Sequence, residues 1–510
     1  MGPSTSGVFE RVVRGTAFIF VGNLLGNLFT FLSRVFAANY LVPRSYGHLA
    51  LGLTSLWLLS LFSQFGLREA LSQKLPRSDR PADLFVMALL LIVPFSIGVA
   101  AVTIYSSAII SAVIGEAGFG PILVVLALAL PFRTVVRLSL AGFRGTTDPE
   151  ARIFVRNVYE QGTTFMAVGA GILLGVDGVG IAGSWLFSSV TGALLACYVL
   201  NKRSNLLNVK SLADVALARI RPVSYRELLG FSLPLLASGV LWTLMRHVDN
   251  ILLGVFQSGT EIGIYDAAFT LSQMLLVLLT GFGFMFLPLF SELHEAGDDE
   301  QMRRLYTLVT KWMALFSLPV FLVLFSFPDL LLRLVYRPAY SEGAMVLAII
   351  SLGFFIHIMM GLNIQALTAI GRSRLVFHTS LLALLLNLAA NIILIPPYGI
   401  AGAAGASFTS YTLVNLYPAA RLYYAHRIHP FSASYLLTVL VSLIVFLTGR
   451  KIIFGPSPAL PLVGLFLIVF GCLYVAAVII LGFDSEDWEL VETAGEHLPV
   501  DLLGTLKRFR

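Results

Sequence analysis

Four polar side chains, Asn23, Asn27, Thr30 and Arg34, follow one another at spacings of four, three and four in an otherwise apolar stretch. On a helix those spacings place all four on one stripe. An ionised side chain at mid-bilayer costs at least about 2.5–3.5 kcal/mol on insertion scales, so such a stripe faces a partner helix or water. Ser238, Trp242, Arg246 and Asp249 form a second stripe, in which Arg246 and Asp249, three apart, are within pairing reach. Ser380, Asn387 and Asn391 form a third, followed by Ser407 and Tyr411 in the next apolar run. Arg133 and Arg137, late in the fourth run, and Glu160, near the inner end of the fifth, are further candidates. Guanidinium groups gathered around a cavity favour an anionic passenger, and their planar fork suits phosphate. Each feature has a plainer reading beside this one. Asn and Ser stripes join helices, Arg34 snorkels to the outer interface, Arg246–Asp249 is a structural pair, and Arg133 and Arg137 anchor a helix end.

These residues sit in a chain of 510 residues that is 57% hydrophobic and only 12% charged. Soluble domains carry about 25% charged residues, so the composition excludes a soluble enzyme, a disordered chain and an ordinary nucleic-acid binder. Lipid is the implied solvent. Apolar runs between charged or Pro/Gly breaks number about fourteen, each near the 20 residues a spanning helix needs. They read as helices because a lipid-exposed backbone must satisfy its polar groups within one segment, and no alternation marks a barrel. The expected fold is therefore all-α and integral to the membrane. Both cysteines, Cys197 and Cys472, fall inside such runs and read as small packing residues. Pro94, Pro131, Pro234, Pro288 and Pro319 also lie within runs, as hinges or static kinks. Gly22/Gly26 and Gly171/Gly175 predict close helix contacts.

With the N-terminus in the cytoplasm, the inner loops collect most of the Lys and Arg, and the outer loops hold Arg44, Arg333, Arg337, Arg450 and Lys451. The bias is roughly fivefold and alternates loop by loop, which predicts an even span count with both termini cytoplasmic. A repeat is also visible. The run Gly180-Ile-Ala-Gly183 returns 219 positions on as Gly399-Ile-Ala-Gly402, and Tyr46-Gly47 is matched 216 positions on by Ile262-Gly263. Two landmarks at nearly one offset predict related halves of six spans each, with a pseudo-two-fold along the membrane normal. The expected organisation is a cytoplasmic segment 1–13, an N-lobe 14–201, a cytoplasmic linker 202–226, a C-lobe 227–429, accessory spans in 430–483 and a cytoplasmic tail 484–510. Two such lobes around a cavity are the architecture of an alternating-access transporter. Apolar positions late in the tail fit one face of a short interfacial helix, with a solvated tail as the alternative reading.

No phosphate-binding GxxxxGK loop or His-Glu metal motif occurs, so neither built-in nucleotide hydrolysis, a cofactor nor a metal centre is expected. Asp298-Asp299 lacks the acidic residue a metal loop needs next, since Met302 stands there.

The segment Arg34-Val-Phe-Ala-Ala-Asn-Tyr-Leu-Val-Pro-Arg-Ser-Tyr46-Gly47, followed by Gly66-Leu-Arg-Glu-Ala70, resembles the opening of the polysaccharide-biosynthesis (Wzx-type) flippases. These belong to the multidrug/oligosaccharidyl-lipid/polysaccharide exporter superfamily. Phe231-Ser-Leu-Pro234, Arg246-His-Val-Asp249, Gly263-Ile-Tyr265, Phe286-Leu-Pro288 and Leu367-Thr-Ala-Ile-Gly371 resemble the later part of the family pattern. The resemblance implies two six-helix lobes plus an accessory pair in the cell membrane. The activity it implies is moving a polyprenyl- or dolichyl-(di)phosphate-linked oligosaccharide from the cytoplasmic to the outer leaflet. It makes Arg34 and Arg246 candidates to hold the phosphate, with Asn23, Asn27, Asn387 and Asn391 as further substrate contacts. Asp249 is then an ion-pair or ion-coupling residue, with Arg133 and Glu160 as additional candidates. The implied partners are the lipid-linked glycan, membrane lipids and glycan assembly enzymes, with no nucleic acid. An ion-coupled exporter of drugs or organic cations remains an alternative, although spans 1–4 show no convincing mid-span carboxylate. A polytopic glycan polymerase or glycosyltransferase is the other, although no sizeable outer loop or acidic interface motif is seen.

Overall fold

A computed structural model describes residues 5–146, 148–207, 241, 244, 247–454, 459–484 and 487. Among them every regular element is a helix. Among the described residues nine helices are long and apolar enough to cross a membrane, or ten if the bent pair Phe119–Leu128 and Leu130–Gly145 is one span. The chain is an all-helical, multi-pass membrane protein. The expected fifth and eighth spans are present as shorter pieces, Glu160–Leu173 after a π-helical turn and Gly259–Ser272 then Leu276–Glu295 around a 3-10 turn. Of the second polar stripe, Ser238, Trp242 and Arg246 lie outside the described residues, as do Pro234 and residues 488–510 of the tail.

Local chemistry sets the helix ends. Val42 is extended and Pro43 opens the helix Pro43–Gln64, where a missing N–H costs nothing. Asp177 caps Gly178–Ser204 by accepting from the Gly180 N–H at 2.9 Å. Ahead of Pro131 the chain bends by 44°. Gly399 (φ 57°, ψ −134°) breaks the long element Ser373–His426 into two helices. Asn391 and Ser407, on either side of that break, both reach Asp249. Sixteen residues of continuous helix would separate them by about 24 Å, so the chain folds back here.

By contact the chain groups into two compact units. The first comprises Met1–Leu271, Asp329–Leu347 and Ser380–Ser407, and so draws segments from both expected halves. Its apolar core joins Leu67, Phe85, Val136, Phe143 and Leu200 from four helices. The first helix, Thr5–Tyr40, meets the π-helical turn Phe154–Tyr159 through its glycine notch: a Cβ on Gly26 would lie 2.8 Å from the Asn157 Cβ.

The repeat landmarks also meet inside this unit. A Cβ on Gly47 would stand 1.8 Å from the Gly259 carbonyl oxygen, and one on Gly263 would stand 2.1 Å from the Pro43 carbonyl oxygen. Gly47 to Gly263 and Pro43 to Gly259 are each 216 positions apart, so the two contacts are equivalent under the repeat. Two matched helix starts thus cross backbone against backbone.

The second unit comprises Ser272–Pro328, Ala348–Thr379 and Phe408–Arg510. Its helix Asp299–Ser326 is tied to the end of the π-helical turn Val478–Gly482 and the residues after it by Lys311, whose side chain is 2% exposed. The ammonium donates to the Gly482 carbonyl (2.9 Å), to Asp484 (3.0 Å) and to Asp487, which fills its three donor positions. Trp312 Nε1 donates to the other Asp487 oxygen at 2.8 Å.

Because the obstacle at Gly47 is backbone, Gly47→Ala forces the two helices apart. Overpacking of this kind costs about 1–3 kcal/mol. We expect a lowered melting temperature for purified Gly47→Ala in a thermal-shift assay. Gly98→Ala, whose Cβ would meet open space, should melt like the parent.

Candidate functional site

The crossing of Gly47 and Gly263 brings the flanking polar residues together. Arg34 Nη1 lies 2.6 Å from Asp266 Oδ2, and the Tyr46 hydroxyl donates to the same oxygen at 2.8 Å. Asn250 Nδ2 is 3.3 Å from both Asp266 Oδ1 and Thr54 Oγ1. Asp266 is nearly sealed at 4% side-chain exposure, whereas Arg34 keeps 19%. Asp266 therefore orients Arg34 while part of the guanidinium stays accessible. Sequence reasoning missed Asp266, although a carboxylate just inside an apolar run was the available signal.

The accessible side of Arg34 borders a cavity of about 50 Å³ within the first unit, lined also by Thr30, Trp57, Arg133, Glu160 and Ser188. Arg133 Nη1 and Arg137 Nη2 stand 3.8 and 4.0 Å from Glu160 Oε1, close enough for charge attraction but beyond hydrogen-bond distance. Their guanidinium carbons lie 4.9 and 5.5 Å from the centre of a Trp57 ring, which favours cations electrostatically. Arg133 Nε and Glu160 Oε2 are buried with no hydrogen-bond partner. Arg34 and Asp266 balance, so Arg133, Arg137 and Glu160 leave one positive charge at this place. One unmet guanidinium donor and an excess of one positive charge suit an anion, while the unmet Glu160 oxygen calls for a donor such as water or a hydroxyl. A volume of about 50 Å³ holds water, while small-molecule sites run to about 300–1,000 Å³, so a large headgroup requires the helices to part. Arg137 was read as a helix anchor; the structure sets it beside Arg133 against Glu160.

The other expected residues are distributed as follows. Asn23 Oδ1 accepts from Asn157 Nδ2 at 2.6 Å, and Thr30 Oγ1 is 3.1 Å from Gln161 Oε1, so this stripe faces the helix that carries Glu160. Asn27 is exposed. Asn391 Nδ2 donates to Asp249 Oδ1 at 2.8 Å and lies 3.2 Å from Asn387 Oδ1. Asp249 also accepts from Tyr265 (2.7 Å) and Ser407. Asn387 and Asn391 thus gather at Asp249 and not at the cavity beside Arg34. His247, the residue after Arg246, stacks on Trp57 with ring centres 6.0 Å apart.

A further polar group holds the same helix starts from outside the spans. Glu116 accepts from the Gly259 N–H (2.7 Å) and from Arg44 Nε (2.9 Å), with His48 Nε2 at 2.8 Å. Burial alone would push its carboxyl up, but the Gly259 N–H and the His48 and Arg44 side chains outweigh it, so the carboxyl sits below its ordinary value.

An all-helical fold with many helices apolar and long enough to cross a bilayer defines the class, a multi-pass membrane protein. Residues 37–346 match the polysaccharide biosynthesis protein family, and the chain belongs to it. Among curated proteins it is similar to the probable low-salt glycan biosynthesis flippase Agl15 of Haloferax volcanii, with 23% identity over 407 residues, 79% of this chain and 81% of that protein. The probable flippase AglR of the same organism is 26% identical over 293 residues, 55% of this chain and 56% of its own length. Among solved structures, the lipid II flippase MurJ in an inward closed conformation superposes with a TM-score of 0.71 at 13% identity, covering 91% of this chain and 98% of that one. An inward-facing multidrug resistance MATE transporter superposes at 0.66 with 14% identity, covering 80% and 99%. These two likenesses establish the fold.

Asp266→Ala leaves Arg34 largely buried without its counter-charge, which costs about 3–5 kcal/mol. Thermal melting should fall accordingly, and the double variant Arg34→Leu/Asp266→Leu should recover most of the loss. Glu116 contributes stability that is present above its ordinary value of 4.5 and lost as pH falls through its lower folded value. Melting temperatures should therefore decline below about pH 4.5, and Glu116→Gln should flatten that part of the profile.

Proposed function

We propose that this chain is a flippase, a transporter and not an enzyme, that carries a lipid-linked oligosaccharide from the cytoplasmic to the outer leaflet of the cell membrane. The observation that carries the reading is the set of guanidinium groups, Arg34, Arg133 and Arg137, at or beside one polar cavity, outnumbering the carboxylates there by one. Family membership and the flippases Agl15 and AglR among the relatives support it.

In this proposal the polyprenyl or dolichyl chain stays in lipid while the (di)phosphate meets Arg34, positioned by Asp266, and Arg133. Arg246, which lies outside the described residues, is proposed as a further phosphate contact. The glycan enters when the helices part, and the two six-span lobes, with both termini cytoplasmic, rock to open outward. The contacts of Gly47 with Gly259 and of Glu116 with the Gly259 N–H then separate as the outer side opens. Asp249, held by Tyr265, Asn391 and Ser407, is the residue proposed for ion coupling. One negative charge moving outward across a membrane negative inside gains about 2.3 kcal/mol per 100 mV, so the potential drives the step without nucleotide. Glycan assembly enzymes would deliver and take up the substrate. The excess of guanidinium over carboxylate at the cavity disfavours the organic-cation exporter.

In a deletion strain the lipid-linked glycan should accumulate on the cytoplasmic face, measured by leaflet-selective glycosidase digestion of membrane lipids. A charge-assisted hydrogen bond contributes about 1.5–3 kcal/mol. Arg133→Gln and Arg246→Ala should therefore each cut complementing export by about 10- to 100-fold at unchanged membrane abundance, and Arg34→Lys should restore little because an ammonium cannot replace the fork. Full export in all three variants would refute the assignment.

A further inference from the structure

A second cavity lies within the second unit, apart from the polar cavity beside Arg34. Its volume is about 580 Å³, and Arg372, Arg374, Arg421 and His378 line it over an apolar floor that includes Leu367 and Leu375. No acidic side chain is among the lining residues. Among the described residues none of the three arginines makes an ion pair. Three exposed guanidinium groups line one hollow with no acidic side chain among them, an arrangement whose planar donors suit phosphate oxygens.

The backbone that presents them is tightly built. Gly371 takes a left-handed φ of 74°, ending the helix Asn363–Ala369, and the Arg372 N–H returns to the Leu367 carbonyl at 2.9 Å. Two residues later the long element Ser373–His426 is under way, so Arg372 and Arg374 stand on a fixed corner and not on a loose loop. No side chain caps that helix start, and its positive end adds to the arginine field.

The aromatic side chains around the cavity point to the kind of anion. Phe377, Tyr417, Tyr423 and Tyr424, interleaved with the lining residues, are exposed, Tyr424 to 77%. Exposed Tyr near the end of a spanning helix is characteristic of the headgroup layer of a bilayer. The apolar floor suits the glycerol or first prenyl unit beside a headgroup, and the volume suits one headgroup.

We propose that this cleft binds the phosphate of a membrane-embedded lipid headgroup, whether a phospholipid or a prenyl diphosphate carrier. Arg372, Arg374 and Arg421 contact the phosphate oxygens, and Leu367 and Leu375 hold the start of the chain. The site needs no transport to act, so its test is one of binding and stands or falls apart from the flippase reading.

The full chain in phosphatidylcholine nanodiscs is titrated with short-chain phosphatidylglycerol, with geranylgeranyl diphosphate and with inorganic pyrophosphate, and binding is read by native mass spectrometry. Both lipids are expected to bind at least tenfold more tightly than pyrophosphate, and the tighter of the two identifies the source. Arg372→Gln/Arg374→Gln/Arg421→Gln should weaken lipid binding at least tenfold and flatten its salt dependence. Arg333→Gln/Arg337→Gln/Lys451→Gln, which removes equal charge elsewhere, should stay within twofold of the parent. If the triple variant does not purify, each single substitution should weaken binding about threefold. Binding within twofold of the parent in the cleft variants, an equal loss in the control, or pyrophosphate matching the lipids would each overturn the proposal.

Discussion

A charge inside a membrane protein must have a partner, and the partner must come close enough to offset desolvation. Arg34 meets this requirement at 2.6 Å from Asp266, a residue 232 positions away in the chain. That approach depends on a feature with no charge at all. Gly47 and Gly263 let two helix starts cross at backbone contact, which sets Tyr46 and Asp266 side by side. A single methyl at either glycine would hold the helices apart and lengthen the ion pair. Arg34 would then be a lone guanidinium in a low-dielectric interior.

Around that crossing the polar groups divide by how fully they are satisfied. Asp249 receives three hydrogen bonds, Glu116 is surrounded by donors, and Lys311 fills all three of its positions. Such closed groups hold helices in register. Arg133 and Glu160 are different: they face each other across 3.8 Å, and each keeps a buried atom without a partner. Buried polar groups without a protein partner are costly, and both of these lie at the lining of a cavity that has room for water. The same contrast sets the arginine cleft at Arg372, Arg374 and Arg421 apart from Arg333, which is paired with Asp329.

Much of the fold was legible in the chain because lipid imposes a one-dimensional rule: apolar runs long enough to span become helices. The Asn23–Arg34 stripe was legible for the same reason, since helical spacing is local. The mutual contact of the repeat landmarks was not, because a repeat states equivalence and says nothing of touching. Arg137 read as an anchor because its separation from Glu160 along the chain hides their approach. The clamp at Lys311 was missed for the same reason, with acceptors lying 171 to 176 residues away.

By itself, then, the sequence determined the solvent, the helical class, the repeat and the types of residue available for chemistry, because each follows from composition or from spacing within a few turns. The tertiary structure alone decided which charges are neutralised and which remain open: Arg34 with Asp266, Asn391 with Asp249, Arg133 short of Glu160. Electrostatic attraction and hydrogen bonding fall off within a few ångströms, and only the packed helices bring residues from distant parts of the chain inside that range.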